Sequence, residues 1–174
     1  MAVLLAEVSG GNPFDEALSG PWWALARRFP GAAIPPACLA VTIELRSNNA
    51  VDADLAERDA AALLRFLVRR GAVAGEAGPP PASVAATPLD AMSQVIAPAA
   101  GLVVYRAPLG AVVARGNVVA EIVDPLGETV PVRARTAGVL FARHDQPIAW
   151  PGKVIGKIAG TEPLPERTGP LLTD

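Results

Sequence analysis

The sequence has little of the residues on which many functional classes depend. One cysteine (Cys38), one histidine (His144) and two lysines (Lys153 and Lys157) occur in 174 residues. A lone cysteine inside an apolar stretch excludes a disulfide framework within the chain and reads as a buried, inert thiol. The net charge is −2, the pI is near 5.4 and the arginines are scattered. Phosphate neutralisation needs concentrated Lys and Arg, so nucleic acid is excluded as a partner. Long hydrophobic runs are missing as well. The opening MAVLLAEVSGG has five apolar residues after Met1, no basic region, and Glu7 close behind. That is neither a signal peptide nor a membrane span, and a cytoplasmic location follows.

What is present is core material. Hydrophobic residues make up 51% and charged residues 18%, the balance of a globular protein, while 18 prolines and 16 glycines predict many turns. The length fits one ordinary domain or two small ones.

The stretch from Ala37 to Arg46 reads ACLAVTIELR. Leu39, Val41, Ile43 and Leu45 alternate with Cys38, Ala40, Thr42, Glu44 and Arg46, which predicts a strand with its aliphatics on one face. Glu44 and Arg46 come last on the other face. The carboxyl ends of strands border the ligand crevice of open α/β sheets, so this pair is a candidate site. The plain alternative is a solvated strand end with a surface ion pair.

Around this strand, Val3 to Val8 is a short β-like run and Ser9-Gly10-Gly11 a turn. Asn12-Pro13 with Asp15 and Glu16 is a helix start. Gly20-Pro21 interrupts that helix, and a second segment carries Trp22, Trp23, Leu25 and Phe29, read as packing aromatics and aliphatics, to Pro30-Gly31. Beyond the strand, Asp54 with Glu57 resembles a capping box. Leu55, Ala62, Leu63, Phe66 and Leu67 supply one helix face, and Gly71 closes it. Strand, helix, strand, helix is half of an α/β layer and needs further strands beside it. Residues 72–88 carry no periodicity and a triple proline, a linker between an α/β segment over 1–71 and a β domain over 89–174.

The β domain contains an internal repeat. Gly101-Leu102-Val103-Val104 answers Gly138-Val139-Leu140-Phe141, and Gly116-Asn117-Val118-Val119-Ala120-Glu121-Ile122 answers Gly152-Lys153-Val154-Ile155-Gly156-Lys157-Ile158. The glycines are 15 residues apart in the first copy and 14 in the second. Such β-rich units predict a small two-sheet sandwich with quasi-twofold symmetry, similar to biotinyl and lipoyl carrier domains (barrel-sandwich). Carriers present a modified lysine at a hairpin tip. Here Asp124–Glu128 between the repeats has none, Asp90-Ala91-Met92-Ser93 has serine in that place, and Lys153 reads as a solvated strand residue.

Several stretches in order, LLAEVSGGNPFDEA, PWWALARRFP, VTIELR, LAERDAAALLRFLVRRG, IAPAAGLVVYRAPLG and the closing GKIAGTEPLPERTGPLLTD, resemble the succinylglutamate desuccinylase and aspartoacylase family of zinc-dependent amide hydrolases. The resemblance implies a carboxypeptidase-like α/β catalytic segment followed by a β-rich domain bounding the active-site mouth. It maps the family's catalytic carboxylate onto Glu44. Zinc polarises the scissile carbonyl and acidifies a water, while the carboxylate takes the water proton and passes it to the departing amine. Arg46, on the same strand face, offers a fork for a substrate carboxylate. Tyr105 is a candidate for the mouth, with a sandwich aromatic as the plainer role.

The family's zinc ligands, a His-x-x-Glu pair and a later histidine, lie upstream of the segment seen here. A catalytic zinc site generally needs three protein ligands, and His144 and Cys38 do not supply them. The chain therefore looks like the C-terminal portion of such a hydrolase, inactive and zinc-free by itself. Met1 then stands for an internal methionine, or else the short chain completes a separate zinc-bearing one; Val3–Val8, read as an interior strand without a neighbour, favours the first. Small N-acylated amino acids are the expected substrates of the complete enzyme, and exposed sheet edges and helix faces predict self-association. The competing class is a non-enzymatic binding or assembly module.

Overall fold

The computed structural model describes residues 4–5, 17–35, 43, 45, 49, 51–83 and 85–167. By its contacts the chain divides into two compact units, Met1–Leu5 with Ser47–Arg167 and Ala6–Arg46 with Thr168–Asp174.

In the second of these, the helix start at Pro13 lies outside the described residues. Ala17 is helical, Leu18 and Ser19 form a turn, and helix α1 runs over Gly20–Arg28. Pro21 sits in its first turn, where a missing amide does no harm, so the expected interruption becomes a restart. The Ser19 carbonyl accepts from the Trp22 and Trp23 amides at 3.1 and 3.2 Å. No residue of α1 is buried: both tryptophans are half-buried, and Leu25 and Phe29 are exposed. Of the strand expected over 37–46, only Ile43 and Leu45 are described. Neither is in a helix or strand, and both are about half exposed, at 53% and 51%.

In the larger unit, strand β1 (Leu4–Leu5) pairs in parallel with β2 (Thr87–Pro88). Helix α2 spans Ala53–Arg69. Its N-cap is Asp52, not Asp54: the extended backbone at Asp52 lets its carboxylate accept from the Leu55 amide at 2.9 Å, while Asp54 is already helical in the first turn. At the other end Gly71 adopts φ +73°, the Ala72 amide donates to the Leu67 carbonyl and the Gly71 amide to Val68, a complete Schellman closure. Residues 72–83 form only turns and irregular chain, held in part by the Arg69 guanidinium, which donates to the carbonyls of Ala77, Gly78 and Pro79.

The repeat becomes a sandwich of two four-stranded antiparallel sheets. A 3-10 turn (Leu89–Ala91) leads into β3 (Met92–Ile96), followed by β4 (Gly101–Tyr105), β5 (Val112–Val113), β6 (Val118–Val123), β7 (Thr129–Arg133), β8 (Gly138–Arg143), β9 (Ile148–Ala149) and β10 (Val154–Gly160). One sheet has the order β3-β10-β8-β5 and the other β7-β6-β4-β9. Exchanging the repeats converts one order into the other, so each sheet holds strands from both copies.

The symmetry reaches the core. Val95, Ala97, Val103, Val113, Val119 and Ile122 are buried, and so are their counterparts Val132, Ala134, Leu140, Ala149, Ile155 and Ile158. Matching register shifts at Val118/Ala120 and Val154/Gly156 turn two consecutive residues inward in each copy. Main-chain bonds repeat as well: Gly116 donates to Ala134 at 2.8 Å and Gly152 to Ala97 at 2.9 Å. Gly101 and Gly138, at φ +152° and +156°, pass directly against β6 and β10; a Cβ at Gly101 would stand 2.6 Å from the Val123 carbonyl oxygen. This close approach explains why both copies begin on glycine.

Candidate active-site elements

Glu44 and Arg46, the candidates read from the strand, lie outside the described residues. The nearest described positions are Ile43, Leu45 and, beyond them, Asn49. Asn49 is tied to the β domain: its side-chain amide donates to Asp145 Oδ2 at 2.6 Å. Asp145 belongs to the connection between β8 and β9, residues 144–147.

Tyr105, the third candidate, ends β4. Its ring packs against the core, and its hydroxyl stands 2.6 Å from the Ile155 carbonyl oxygen and 3.1 Å from that of His144. The Arg143 guanidinium lies 4.5 Å above the ring, a cation–π contact, and donates to the Ala107 carbonyl. Burial pushes the phenol pKa above its ordinary value of 10.0, and the hydrogen bond to His144 and the Arg143 charge offset part of that rise. The phenolic proton is thus engaged by main chain, and the side chain fastens β4 to the opposite sheet.

His144 is turned to the same connection. Its Nδ1 accepts from the Gln146 amide at 3.1 Å and lies 3.4 Å from Asp145 Oδ1.

Lys153 corrects the expectation of a solvated strand residue. It is only 8% exposed: its ammonium donates to the Ile148 carbonyl at 2.7 Å, reaches Gln146 Oε1 at 3.5 Å and sits 4.5 Å over the Trp150 ring. The buried ammonium thus has a main-chain acceptor, a side-chain acceptor and a cation–π contact. The hairpin tip at Asp124–Gly127 is an Asx-type turn in which Asp124 accepts from the Leu126 amide at 2.9 Å.

Sequence reasoning did not single out Asn49, Arg143 or Asp145. Tyr105 and Lys153 stand where the other repeat has Ala142 and Asn117, whereas Arg143 answers Arg106, so comparison of the copies would have drawn attention to the first two and not to Arg143.

Among the described residues no three His, Cys, Asp or Glu side chains converge. His144 with Asp145 makes at most a pair, so the described residues do not fit a catalytic zinc. No helix among them is long and apolar enough to cross a membrane.

No family model matches the chain, and no curated protein does. Solved structures do. A protein assigned to the succinylglutamate desuccinylase/aspartoacylase family from Shewanella amazonensis matches 90% of this chain and 45% of its own, at 28% identity and a TM-score of 0.79. Another from Shewanella frigidimarina matches 90% of this chain and 44% of its own, at 25% identity and a TM-score of 0.75. The product-bound ectoine utilization protein EutE (DoeB) from Ruegeria pomeroyi shares the fold over 92% of this chain and 52% of its own, at 21% identity and a TM-score of 0.61. The chain is therefore a structural match to succinylglutamate desuccinylase/aspartoacylase family proteins, across a little under half the length of the two Shewanella members.

Proposed function

We propose that this chain is the C-terminal part of a cytoplasmic amide hydrolase acting on an N-acylated amino acid or a similar small amide. What supports the reading is agreement with a solved family protein over 90% of the chain at 28% identity. Glu44 is the proton carrier: it takes the proton of the attacking water and returns it to the departing amine. Arg46 is the fork for a substrate carboxylate. The described residues do not fit zinc; the resemblance places its ligands, a His-x-x-Glu pair and a later histidine, upstream of this segment.

The 174-residue chain by itself is expected to hold no stoichiometric zinc and to hydrolyse no N-acyl amino acid. Metal analysis finding one tightly held zinc per chain contradicts this. In a protein extended upstream by a His-x-x-Glu segment, Glu44→Gln is expected to abolish turnover and spare zinc binding; unchanged turnover removes Glu44 from the mechanism.

A second reading, a non-enzymatic assembly module, draws on the β sandwich, whose symmetric core is drawn from both repeats, Val95 to Ile158. Co-purification with a separate chain carrying His-x-x-Glu would favour it.

A further inference from the structure

We propose that the outer face of the β7-β6-β4-β9 sheet is a homodimer surface, on which a second copy of this chain packs the apolar row Ile148, Leu102 and Val123 against its own.

The strand register sets Ile148, Leu102, Val123 and Thr129 side by side across all four strands. Their chain neighbours Ala149, Val103 and Ile122 belong to the core, so alternation turns the row outward. Ile148 is 64% exposed and Leu102 45%, and Trp150, next after Ile148 in the same alternation, is 56% exposed. No charged side chain interrupts the row. In the row beside it, Val104, Glu121 and Pro131, the single charge is already paired: Glu121 lies 2.5 Å from the Arg106 guanidinium.

The duplicated fold supplies an internal comparison. The quasi-equivalent row of the other sheet is Val112, Val139, Ala159 and Met92. Ala159 and Met92 are only 4% and 5% exposed. There the chain enters β3 through the 3-10 turn and leaves β10 through residues 161–167, and the Leu164 amide donates to the Asp90 carbonyl at 3.0 Å. Where β6 passes to β7, the turn of residues 124–128 takes the place of those segments, and Leu102 and Ile148 stay exposed. The same row is thus covered in one half of the duplication and exposed in the other.

Two properties choose a second copy as the cover. β9 is a two-residue edge strand between Pro147 and Pro151, and proline has no amide to donate, so a peptide adding as a further strand finds little to pair with. The occupant therefore brings an apolar surface, not an extended backbone. The row and Trp150 present roughly 300 Å², the size of a functional patch on a monomer and well below the ~800 Å² per partner of a standard interface. That area suits a weak dimer, and a two-fold pairing lets the one patch serve both subunits with no unpaired like charges opposed.

Sedimentation velocity of the 174-residue chain from micromolar to millimolar concentration is expected to show a reversible monomer–dimer equilibrium. Leu102→Glu and Ile148→Glu each place like charges in the paired rows and are expected to raise the dimer Kd at least roughly tenfold. Val112→Glu is the internal control, because Val112 is the quasi-equivalent of Ile148 and is 83% exposed; its Kd is expected to match the parent within about twofold. If a glutamate variant fails to fold, labelling decides: in a Cys38→Ser background, maleimide reaction of Ile148→Cys slows as concentration rises and that of Val112→Cys does not. A monomer at every concentration, equal weakening by all three glutamates, assembly that runs on beyond a dimer, or labelling of Ile148→Cys indifferent to concentration overturns the proposal. Dimerisation untouched by Leu102→Glu and Ile148→Glu places the contact elsewhere and overturns it as well.

Discussion

Gly138→Ala tests whether the close approach of strands, more than turn geometry, explains the glycine at the head of each repeat. A Cβ at Gly138 would overlap the Ala159 carbonyl oxygen and come within 2.9 Å of Gly160 Cα. Both contacts are backbone in β10, which cannot rotate away. The positive φ of +156° adds strain of about 1–3 kcal/mol for a residue with a side chain. Pushing β8 off β10 weakens neighbouring ladder bonds worth about 1 kcal/mol each. A total of about 3–5 kcal/mol lowers Tm by roughly 15–30 °C in a domain of this size. Gly116→Ala is the control: its φ is +87° but nothing lies within 4 Å of the added carbon, so only the conformational strain is paid. That cost is about 1 kcal/mol. Gly101→Ala should fall between the two, because its Cβ would meet the Val123 carbonyl oxygen at 2.6 Å and the movable Ile122 side chain at 2.9 Å. Urea unfolding followed by far-ultraviolet circular dichroism ranks the three. Equal losses for Gly138→Ala and Gly116→Ala would refute the packing argument and leave backbone strain as the whole cause.

Lys153→Met removes both the donor to the Ile148 carbonyl and the charge over Trp150, and is expected to cost about 1–3 kcal/mol in the same urea series. Tyr105→Phe removes the hydroxyl bonded to Ile155 and should cost about 0.5–1.5 kcal/mol near neutral pH. The Tyr105 pKa is raised by burial, so the unfolded chain loses this proton first. Stability is therefore level below pH 10 and falls as pH rises from there through the folded pKa. Tyr105→Phe removes that part of the alkaline slope, which stability measured against pH will show.

The sandwich was legible in the sequence because duplication writes the same physical demand twice. A glycine is needed where β4 crosses β6, and again where β8 crosses β10; Val119 and Ile155 must both turn inward at a bulge. Agreement between copies separates such demands from accidents of composition. The polar contacts gave no such duplicate. Lys153 looks like any strand-start lysine until the chain from Gln146 to Trp150 folds back to supply its acceptors and its ring. Asp52 and Asp54 both suit an N-cap by residue type, and the choice falls on Asp52 because it is the one with extended backbone. Glu44 and Arg46 were read from alternation in the strand, and they fall outside the described residues.

The departures from symmetry gather on one connection. Residues 144–149 are fastened by the Tyr105 hydroxyl to the His144 carbonyl, by Lys153 to Ile148 and Gln146, and by Asn49 to Asp145. The quasi-equivalent connection after β4 receives Arg143 at the Ala107 carbonyl. Both copies need their core pairs for the sandwich to close, but polar fasteners are required only where a connection must hold a particular shape. The connection is braced from the end of β4, from the residue before β10 and from the segment preceding α2. The asymmetry thus sets residues 144–149 apart from the quasi-equivalent connection by their polar bracing.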